Sequence, residues 1–114
     1  MHIKNATKKT LLAENAKVCK NIFSRTLGLM FSRKQKSLIF IFKKEKIVPL
    51  HMLFVFYPID ILFLDKDKKV VEVKENLRPF KFYTPKNKAL YIIELSQNTI
   101  KSSKTKVGNK INFE

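Results

Sequence analysis

Asp60 is the residue with the clearest potential for chemistry, because it lies inside the most apolar stretch of the chain, Leu50 to Asp65. A carboxylate buried there must be hydrogen-bonded, paired with a cation or protonated. One hypothesis is structural: the carboxylate accepts hydrogen bonds from turn amides after Pro58, or pairs with Arg25 or Arg78. The other hypothesis is functional, and makes Asp60 a pocket acid that contacts a ligand.

His51 is the only histidine away from the first residues of the chain, and one histidine limits the available chemistry. A zinc site needs three or four ligands, and Cys19, His51 and the scattered carboxylates show no spacing typical of one. A nucleophile–histidine pair needs an orienting acid, for which only Asp60 is near in sequence. A strand histidine with its hydrogen bonds satisfied is therefore favoured, and we predict neither a metal nor a cofactor.

Two methionines and a second carboxylate complete the candidate site. Met30 and Met52 are flexible and polarizable, so they could line an adaptable pocket, although core packing is the simpler explanation. Glu94 lies between apolar neighbours and raises the same question as the central aspartate, with Arg25 or Arg33 as its natural partner. The candidate ligand-binding residues are Arg25, Met30, His51, Met52, Asp60 and Glu94.

A proline divides the central apolar stretch into two predicted strands. Pro58 cannot donate a ladder hydrogen bond, so it separates a strand at His51–Phe56 from a strand at Ile59–Leu64. The polar run 65–68 then leads into Val70–Val73, and this arrangement predicts a β-hairpin. These strands are the elements that would position the candidate site.

The returning strand of this hairpin is expected to alternate between core and water. Val71 and Val73 should lie on one face, with Glu72 and Lys74 on the other, solvated face. The long connection 76–88 contains two prolines. We expect its aromatic residues to tuck this connection onto the body of the protein: Phe80, Phe82 and Tyr83.

The rest of the chain predicts more strands and little helix. Residues 1–14 favour an N-terminal hairpin, with strands around Ile3 and around Leu11. The spacing of apolar residues predicts one amphipathic helix at Val18–Leu27. The remaining predicted elements are strands at Leu38–Phe42, Ala89–Leu95 and Lys110–Phe113, and a helical turn at Thr99–Lys104. We therefore predict a single domain, 1–114, that is mainly β: a compact antiparallel sandwich or barrel-like sheet with one short α-helix.

The charge balance points to an anionic partner. The chain has 24 Lys and Arg against 9 Asp and Glu, a formal net charge of +15, and such a surface attracts polyanions. Only Arg25, Arg33 and Arg78 are arginines, so nucleic-acid binding would be mainly to phosphates and non-specific. We expect the aromatic residues to lie in apolar runs and not to be interleaved with basic residues, as they are on a base-stacking surface. A genome bias or a hot habitat could also explain the lysines.

The cellular setting follows from two absences in the sequence. The central stretch is too short and too interrupted for a membrane-spanning helix, and the N-terminal apolar run is too short for a signal peptide. Cys19 is the only cysteine, so no intrachain disulfide can form. We expect a cytoplasmic protein without a membrane span.

Several segments, in their order along the chain, resemble a known family: Gly28–Phe31, His51–Phe54, Pro58–Asp65, Val70–Val71, Ile93–Leu95 and Gly108–Asn109. The chain is similar to the domain of unknown function 192 family, also called uncharacterised protein family 0127, over about residues 16–113. The resemblance implies a sandwich-like β fold and no accepted catalytic residues. His51 stands where an aromatic residue often precedes the central methionine, and Asn109 stands where Asp is frequent, as in an archaeal-type member.

These observations favour a binding module over an enzyme. The leading hypothesis is a small cytoplasmic protein whose central strands hold a small ligand or a partner segment, because polar groups are concentrated in an apolar centre. The first alternative is non-specific electrostatic binding of RNA or DNA through the lysine-rich surface. The second is an unrecognised enzyme that uses Asp60 with His51 or Arg25.

Overall fold

Strands dominate the computed structural model, which describes residues 1–19, 37–51 and 57–113. The strands contain between two and nine residues, and most are separated by polar turns, as the apolar runs of the sequence predict. The strands are β1 (Ile3–Asn5), β2 (Thr10–Ala13), β3 (Lys17–Cys19), β4 (Leu38–Lys46), β5 (Leu50–His51), β6 (Ile59–Leu64), β7 (Val70–Leu77), β8 (Phe82–Tyr83), β9 (Ala89–Ser96) and β10 (Ile111–Phe113). The helix of the described chain is α1 (Thr99–Ser103).

A five-stranded sheet in the order β3-β4-β9-β6-β7 forms the centre of the fold. Its strands pair antiparallel, except that β3 is parallel to β4. A three-stranded antiparallel sheet, β10-β1-β2, and a two-stranded ladder, β5-β8, accompany it. The strands that are described form open sheets and not a closed barrel, so the predicted mainly-β sandwich is confirmed.

Two apolar clusters cover the two faces of the central sheet. Side chains of β6 alternate between them: Ile59, Ile61 and Phe63 join one cluster, and Leu62 and Leu64 join the other. The second cluster also contains Ile3, Leu12, Ile100 and Ile111, from α1 and the three-stranded sheet, so we call its side the α1 face. The first includes Leu50 and Tyr83, from the β5-β8 ladder, and its side is the β8 face. Because both faces are covered, all six residues of β6 are buried.

The hairpin that follows β6 is confirmed, and side-chain chemistry closes its turn. β6 has the predicted bounds, and β7 returns antiparallel to it. One carboxylate oxygen of Asp65 accepts the backbone N–H groups of Asp67 at 2.9 Å and Lys69 at 3.0 Å. Asp65 is therefore a turn former, as its short polar side chain predicts. The N-terminal hairpin, β1 with β2, is also confirmed.

One predicted helix begins on residues that are in fact a strand. Val18 and Cys19 belong to β3 and lie opposite Ile39 and Phe40 of β4. Ladder hydrogen bonds from this long neighbouring strand outweigh a local helical spacing that two turns alone cannot stabilise. The remainder of that predicted helix, residues 20–27, lies outside the described residues. So do residues 52–56 of the predicted strand His51–Phe56, of which β5 contains only His51.

A β-bulge overturns the predicted alternation of β7. Leu64 pairs with Val70 but Phe63 pairs with Glu72, so Val71 is an extra residue on the returning strand. Beyond the bulge, Glu72 follows Phe63 onto the β8 face, where it is only 9 % exposed. The prediction that Glu72 points to water is therefore wrong, because alternation counted from the sequence assumes an uninterrupted ladder.

Candidate functional site

Asp60 is buried in β6, and its carboxylate is used by the backbone of two other elements. The residue is 1 % exposed. Its Oδ1 accepts the N–H of Asn76 in β7 at 2.9 Å, and its Oδ2 accepts the N–H of Ile100 in α1 at 2.9 Å. Both oxygens of Asp60 therefore have a backbone partner.

Each of these two amides needs Asp60 for a local reason. Asn76 lies beside a second irregularity in the β6–β7 pairing, where Ile59 is opposite Leu77, and it has a left-handed φ of 53°. Ile100 is the second residue of α1, whose N-cap residue Asn98 makes no side-chain capping bond. Asp60 caps this helix from a neighbouring strand, in place of the usual side chain at the N-cap. The structural hypothesis for Asp60 is favoured, with donors that the sequence did not suggest.

Two other predicted site residues have a described place in the strands. Glu94 is buried in β9, opposite Leu38 and Ile61. The backbone of His51 lies in β5, opposite Phe82. The candidates Arg25, Met30 and Met52, and the suggested partner Arg33, lie outside the described residues.

The Asp60 carboxylate and the β5-β8 ladder lie on opposite sides of the central sheet. The Asp60 carboxylate reaches α1, so it lies on the α1 face. The ladder that contains His51 contributes Leu50 and Tyr83 to the cluster on the β8 face. The enzyme hypothesis that joins Asp60 with His51 stays a prediction, since acid–base catalysis needs both side chains within hydrogen-bond reach and the side chain of His51 lies outside the described ones.

Glu72 is a further buried carboxylate, and the sequence did not indicate it. Its Oε2 accepts a hydrogen bond from the hydroxyl of Tyr83. Its Oε1 accepts the backbone N–H of Lys86 at 2.9 Å, and both the backbone N–H and the side-chain Nδ2 of Asn87 at 3.0 Å. This Glu72 clasp, formed with Tyr83, Lys86 and Asn87, fastens the chain after β8 to β7.

The clasp shifts the pKa of both of its ionisable groups. Burial by itself raises the pKa of Glu72, but hydrogen bonds from Tyr83, Asn87 and Lys86 outweigh it, so the pKa is lowered from 4.5. Burial, together with the hydrogen bond to the Glu72 carboxylate and its negative charge, raises the pKa of Tyr83 to about 12. The clasp is therefore a carboxylate with a neutral phenol over a wide range of pH.

The connection fastened by the clasp, residues 78–88, presents aromatic and basic side chains to solvent. Phe82 is 77 % exposed and Phe80 is 53 % exposed, so the prediction that they tuck onto the body is wrong. β8 alternates, and because Tyr83 turns inward, Phe82 turns outward. The exposed cations of this basic-aromatic loop are Arg78, Lys81, Lys86 and Lys88. The expectation that aromatic residues are not interleaved with basic ones is therefore wrong for this loop.

A lysine-rich groove lies on the α1 face. It has a volume of about 450 Å³. Four exposed lysines and one acidic residue, Glu75, line it. The lining residues are Lys8, Val73, Glu75, Ile100, Lys101, Lys104, Thr105, Lys106 and Val107. We call Lys8, Lys101, Lys104 and Lys106 the lysine groove. A second groove of about 430 Å³, beside β1 and β2, is lined partly by Lys4 and Lys9.

A buried polar network holds the backbone of the lysine groove. Asn5 Oδ1 accepts the N–H of Lys8 at 2.9 Å, and Asn109 Oδ1 accepts the N–H of Lys106 at 3.0 Å. The two asparagines are joined, because Asn5 Nδ2 donates to Asn109 Oδ1 and to Thr105 Oγ1, both at 3.0 Å. The amide of Asn109 thus performs a structural task, and it fixes the loops from which two of the lysines extend.

The described residues contain neither a metal-binding cluster nor a membrane-spanning helix. No group of three or more His, Cys, Asp or Glu residues there could hold a metal ion. No helix among them is long and apolar enough to cross a membrane. The lysine groove and the basic-aromatic loop are candidate binding surfaces within residues 1–19, 37–51 and 57–113.

Two solved structures share this fold. A protein from Sinorhizobium meliloti, described as a "putative transcription regulator", aligns with a TM-score of 0.85 at 21 % identity, covering 97 % of this chain and 89 % of that one. A protein of unknown function from Novosphingobium aromaticivorans aligns with a TM-score of 0.84 at 17 % identity, covering 98 % and 82 %. At these identities the likeness concerns the fold alone.

Sequence comparisons give the family. A model of the DUF192 family, described as "Uncharacterized ACR", matches residues 2–113. A UPF0127 protein from Thermococcus sibiricus is 34 % identical over 113 residues, covering 96 % of this chain and 73 % of the relative. A UPF0127 protein from Pyrococcus horikoshii is also 34 % identical over 113 residues, covering 97 % of each. The chain therefore belongs to the DUF192 family, the uncharacterised protein family 0127.

Proposed function

We propose that this protein binds nucleic acid non-specifically, through phosphate contacts in the lysine groove. The observation that carries the proposal is the concentration of four lysines around one groove with a single acid, Glu75. Each lysine ammonium is a point charge that can pair with a phosphate without reading a base. The formal net charge of +15 adds long-range attraction for any polyanion.

The backbone of the groove supports this function. Lys8 and Lys106 extend from loops that are anchored through Asn5 and Asn109. Lys104 ends α1 with a left-handed φ of 59°, a conformation that glycine adopts more easily. A lysine in this left-handed conformation costs some stability, which is consistent with a use for its side chain.

Neither of the other hypotheses gains comparable support from the described residues. The ligand hypothesis depends on Asp60, and both oxygens of that carboxylate are engaged by backbone amides. The enzyme hypothesis needs the same carboxylate as an acid or base, and the carboxylate is engaged in the same way. The four lysines of the groove are exposed, so an anion in solvent can approach them.

The proposal concerns a single folding unit in a reducing compartment. The two apolar clusters share the strands of one central sheet, so they are expected to fold together. Cys19 is the only cysteine, which suits the cytoplasm, where nucleic acid is abundant. Both of these points are part of the proposal.

Fluorescence anisotropy with labelled oligonucleotides at several salt concentrations tests it. Four phosphate contacts predict roughly a 100-fold loss of affinity between about 50 and 200 mM salt. The double variant Lys8→Gln with Lys106→Gln should reduce the salt slope by about 1.8 with duplex DNA and by about 1.4 with a single strand. Changes in base sequence should have little effect.

A matched control separates the groove from the general positive charge. Lys43→Gln with Lys44→Gln removes the same charge from exposed residues of β4 that do not line the groove. This control should retain the salt slope of the wild type. An equal loss in both double variants, or no binding to any oligonucleotide at low salt, would refute the proposed function.

A further inference from the structure

The basic-aromatic loop differs from every other aromatic region of the described chain. Phe40 and Phe63 are buried in the core, whereas Phe82 and Phe80 are mostly exposed. Four cations flank the two exposed rings: Arg78, Lys81, Lys86 and Lys88. Flat apolar rings beside positive charges are the two features by which proteins bind unpaired nucleotides, since rings stack on bases and cations pair with phosphates.

The loop is held in place at both of its ends. The N–H of Lys81 bonds to the carbonyl oxygen of Arg78 at 3.2 Å, which closes a turn around Phe80. At the other end, the Glu72 clasp holds Lys86 and Asn87 by their backbone N–H groups. A fixed loop loses little conformational entropy on binding, so its rings are already presented to a partner.

The conformation of Phe80 supports a use for its ring. Its φ is +64°, which is the left-handed conformation that glycine or asparagine usually occupies in such a turn. A bulky residue there costs on the order of 1–2 kcal/mol. A smaller residue such as glycine would satisfy the turn without this cost.

Charge and geometry select the partner. A second copy of this chain would bring another net charge of +15 against the loop, which repulsion disfavours. A bilayer is flat and can meet one side of the molecule, but the loop follows β8 while the lysine groove lies on the α1 face. A flexible polyanion can reach both sides.

We propose that the basic-aromatic loop is a stacking platform for unpaired bases, and that the nucleic acid bound by this protein is single-stranded. This inference rests on the proposed function and specifies its substrate. The longest dimension of the molecule is 34 Å, so a strand of about 10 nucleotides, at about 3.4 Å for each stacked base, can reach from the loop to the lysine groove.

Anisotropy titrations with a single strand of about 12 nucleotides and with the corresponding duplex test the platform. Phe82→Ala should weaken binding of the single strand about 10-fold and leave duplex binding unchanged, because paired bases cannot stack on the ring. Phe80→Gly should weaken the single strand in the same way without loss of stability, since glycine accepts the positive φ. Ile47→Ala, an exposed apolar residue outside the loop, should change neither affinity.

A fluorescent variant gives a readout that folding defects do not imitate. The chain has no tryptophan, so Phe82→Trp introduces a single indole at the platform. We expect the single strand to quench its fluorescence and the duplex to leave it unchanged, because stacking brings a base against the indole. Binding by Phe82→Trp should match the wild type.

The outcomes separate this inference from the proposed function. If Phe82→Ala and Phe80→Gly bind the single strand as tightly as the wild type, the platform is refuted while the lysine groove stands. If the Phe82→Trp indole responds to vesicles of anionic lipid and not to the single strand, the loop is a membrane contact and the inference is wrong. If the wild type binds neither strand nor duplex at low salt, the proposed function and this inference both fail.

Discussion

Asp60 and Glu72 are buried carboxylates on opposite faces of the central sheet, and they accept hydrogen bonds from different kinds of segment. Asp60, on the α1 face, receives amides from β7 and α1, which are regular elements of the fold. Glu72, on the β8 face, receives the hydroxyl of Tyr83 and the amides of a surface loop. Asp60 therefore holds regular elements of the fold together, which is its framework role, whereas Glu72 positions a segment that is presented to solvent.

The difference predicts a global effect for one residue and a local effect for the other. Removal of the Asp60 carboxylate leaves two amides without an acceptor, one of them buried inside the structure. Loss of the Glu72 carboxylate frees groups that are near the surface and can bond to water instead. The cost of an unmade hydrogen bond is larger where water cannot replace the missing partner.

Asp60→Ala should give the largest loss of stability. We expect the free energy of unfolding to fall by about 3 kcal/mol, since a buried donor left unsatisfied costs about 1–3 kcal/mol. Denaturant titration measures it. Asp67→Ala, the same change at an exposed residue of the adjacent turn, should alter stability by less than about 0.5 kcal/mol. A similar effect in both variants would contradict the framework role of Asp60.

Glu72→Ala should be less costly and confined to one region. We expect a loss of about 2 kcal/mol, with faster hydrogen exchange at the amides of Lys86 and Asn87 and unchanged exchange in α1. Glu75→Ala is the matched control, because it is an exposed glutamate on the same strand. Loss of protection in α1 in the Glu72→Ala variant would show that the clasp is not local.

The clasp also predicts a distinctive dependence of stability on pH. The pKa of Tyr83 is raised from 10.0 to about 12 in the folded protein. Its contribution should therefore be fully present below pH 10 and lost as the pH rises towards 12. The pKa of Glu72 is lowered from 4.5, so its contribution is present above that pH and is lost as the pH falls below it.

Tyr83→Phe isolates the alkaline part of this dependence. We expect a loss of about 1 kcal/mol at neutral pH, from one hydrogen bond. The difference in stability between wild type and variant should disappear as the pH rises through the range in which Tyr83 ionises. Unfolding measured from neutral to alkaline pH tests this, and a difference that stays constant would show that the Tyr83 phenol is not shifted by Glu72.

The smallest predicted effect has the opposite sign and concerns the α1 face. Lys104→Gly should raise the free energy of unfolding by about 0.5 kcal/mol, because Lys104 has a φ of 59° and glycine accepts it without strain. Lys101→Gly, inside α1, should lower it by about 1 kcal/mol. Both variants remove one charge from the lysine groove, so both should weaken nucleic-acid binding. An affinity that follows stability instead of charge would contradict the role of the groove.

Local chemistry was sufficient to predict several elements of this fold. The run Ile59–Leu64 predicts β6, because Pro58 and the polar turn at Asp65 limit it on either side. The helical turn near residue 99 and the N-terminal hairpin also follow from short-range patterns. These elements depend on neighbours in sequence, and such neighbours are visible without a structure.

Long-range partners decided the features that sequence patterns missed. Val18 and Cys19 are a strand because β4 pairs with them. Glu72 turns inward because the ladder between β6 and β7 contains an extra residue, Val71, which changes the face that the next side chain occupies.

The amino-acid sequence by itself determined the mainly-β class, the bounds of β6, the family and the excess of positive charge. It also indicated that Asp60 must have partners, because an unpaired buried carboxylate is too costly. Only the tertiary structure decided which amides those partners are, that Phe82 is exposed, and that four lysines separated by up to 98 positions line one groove (Lys8 to Lys106). The reason is physical: hydrogen-bond partners and shared grooves depend on which distant segments become neighbours, and that is a property of the folded chain.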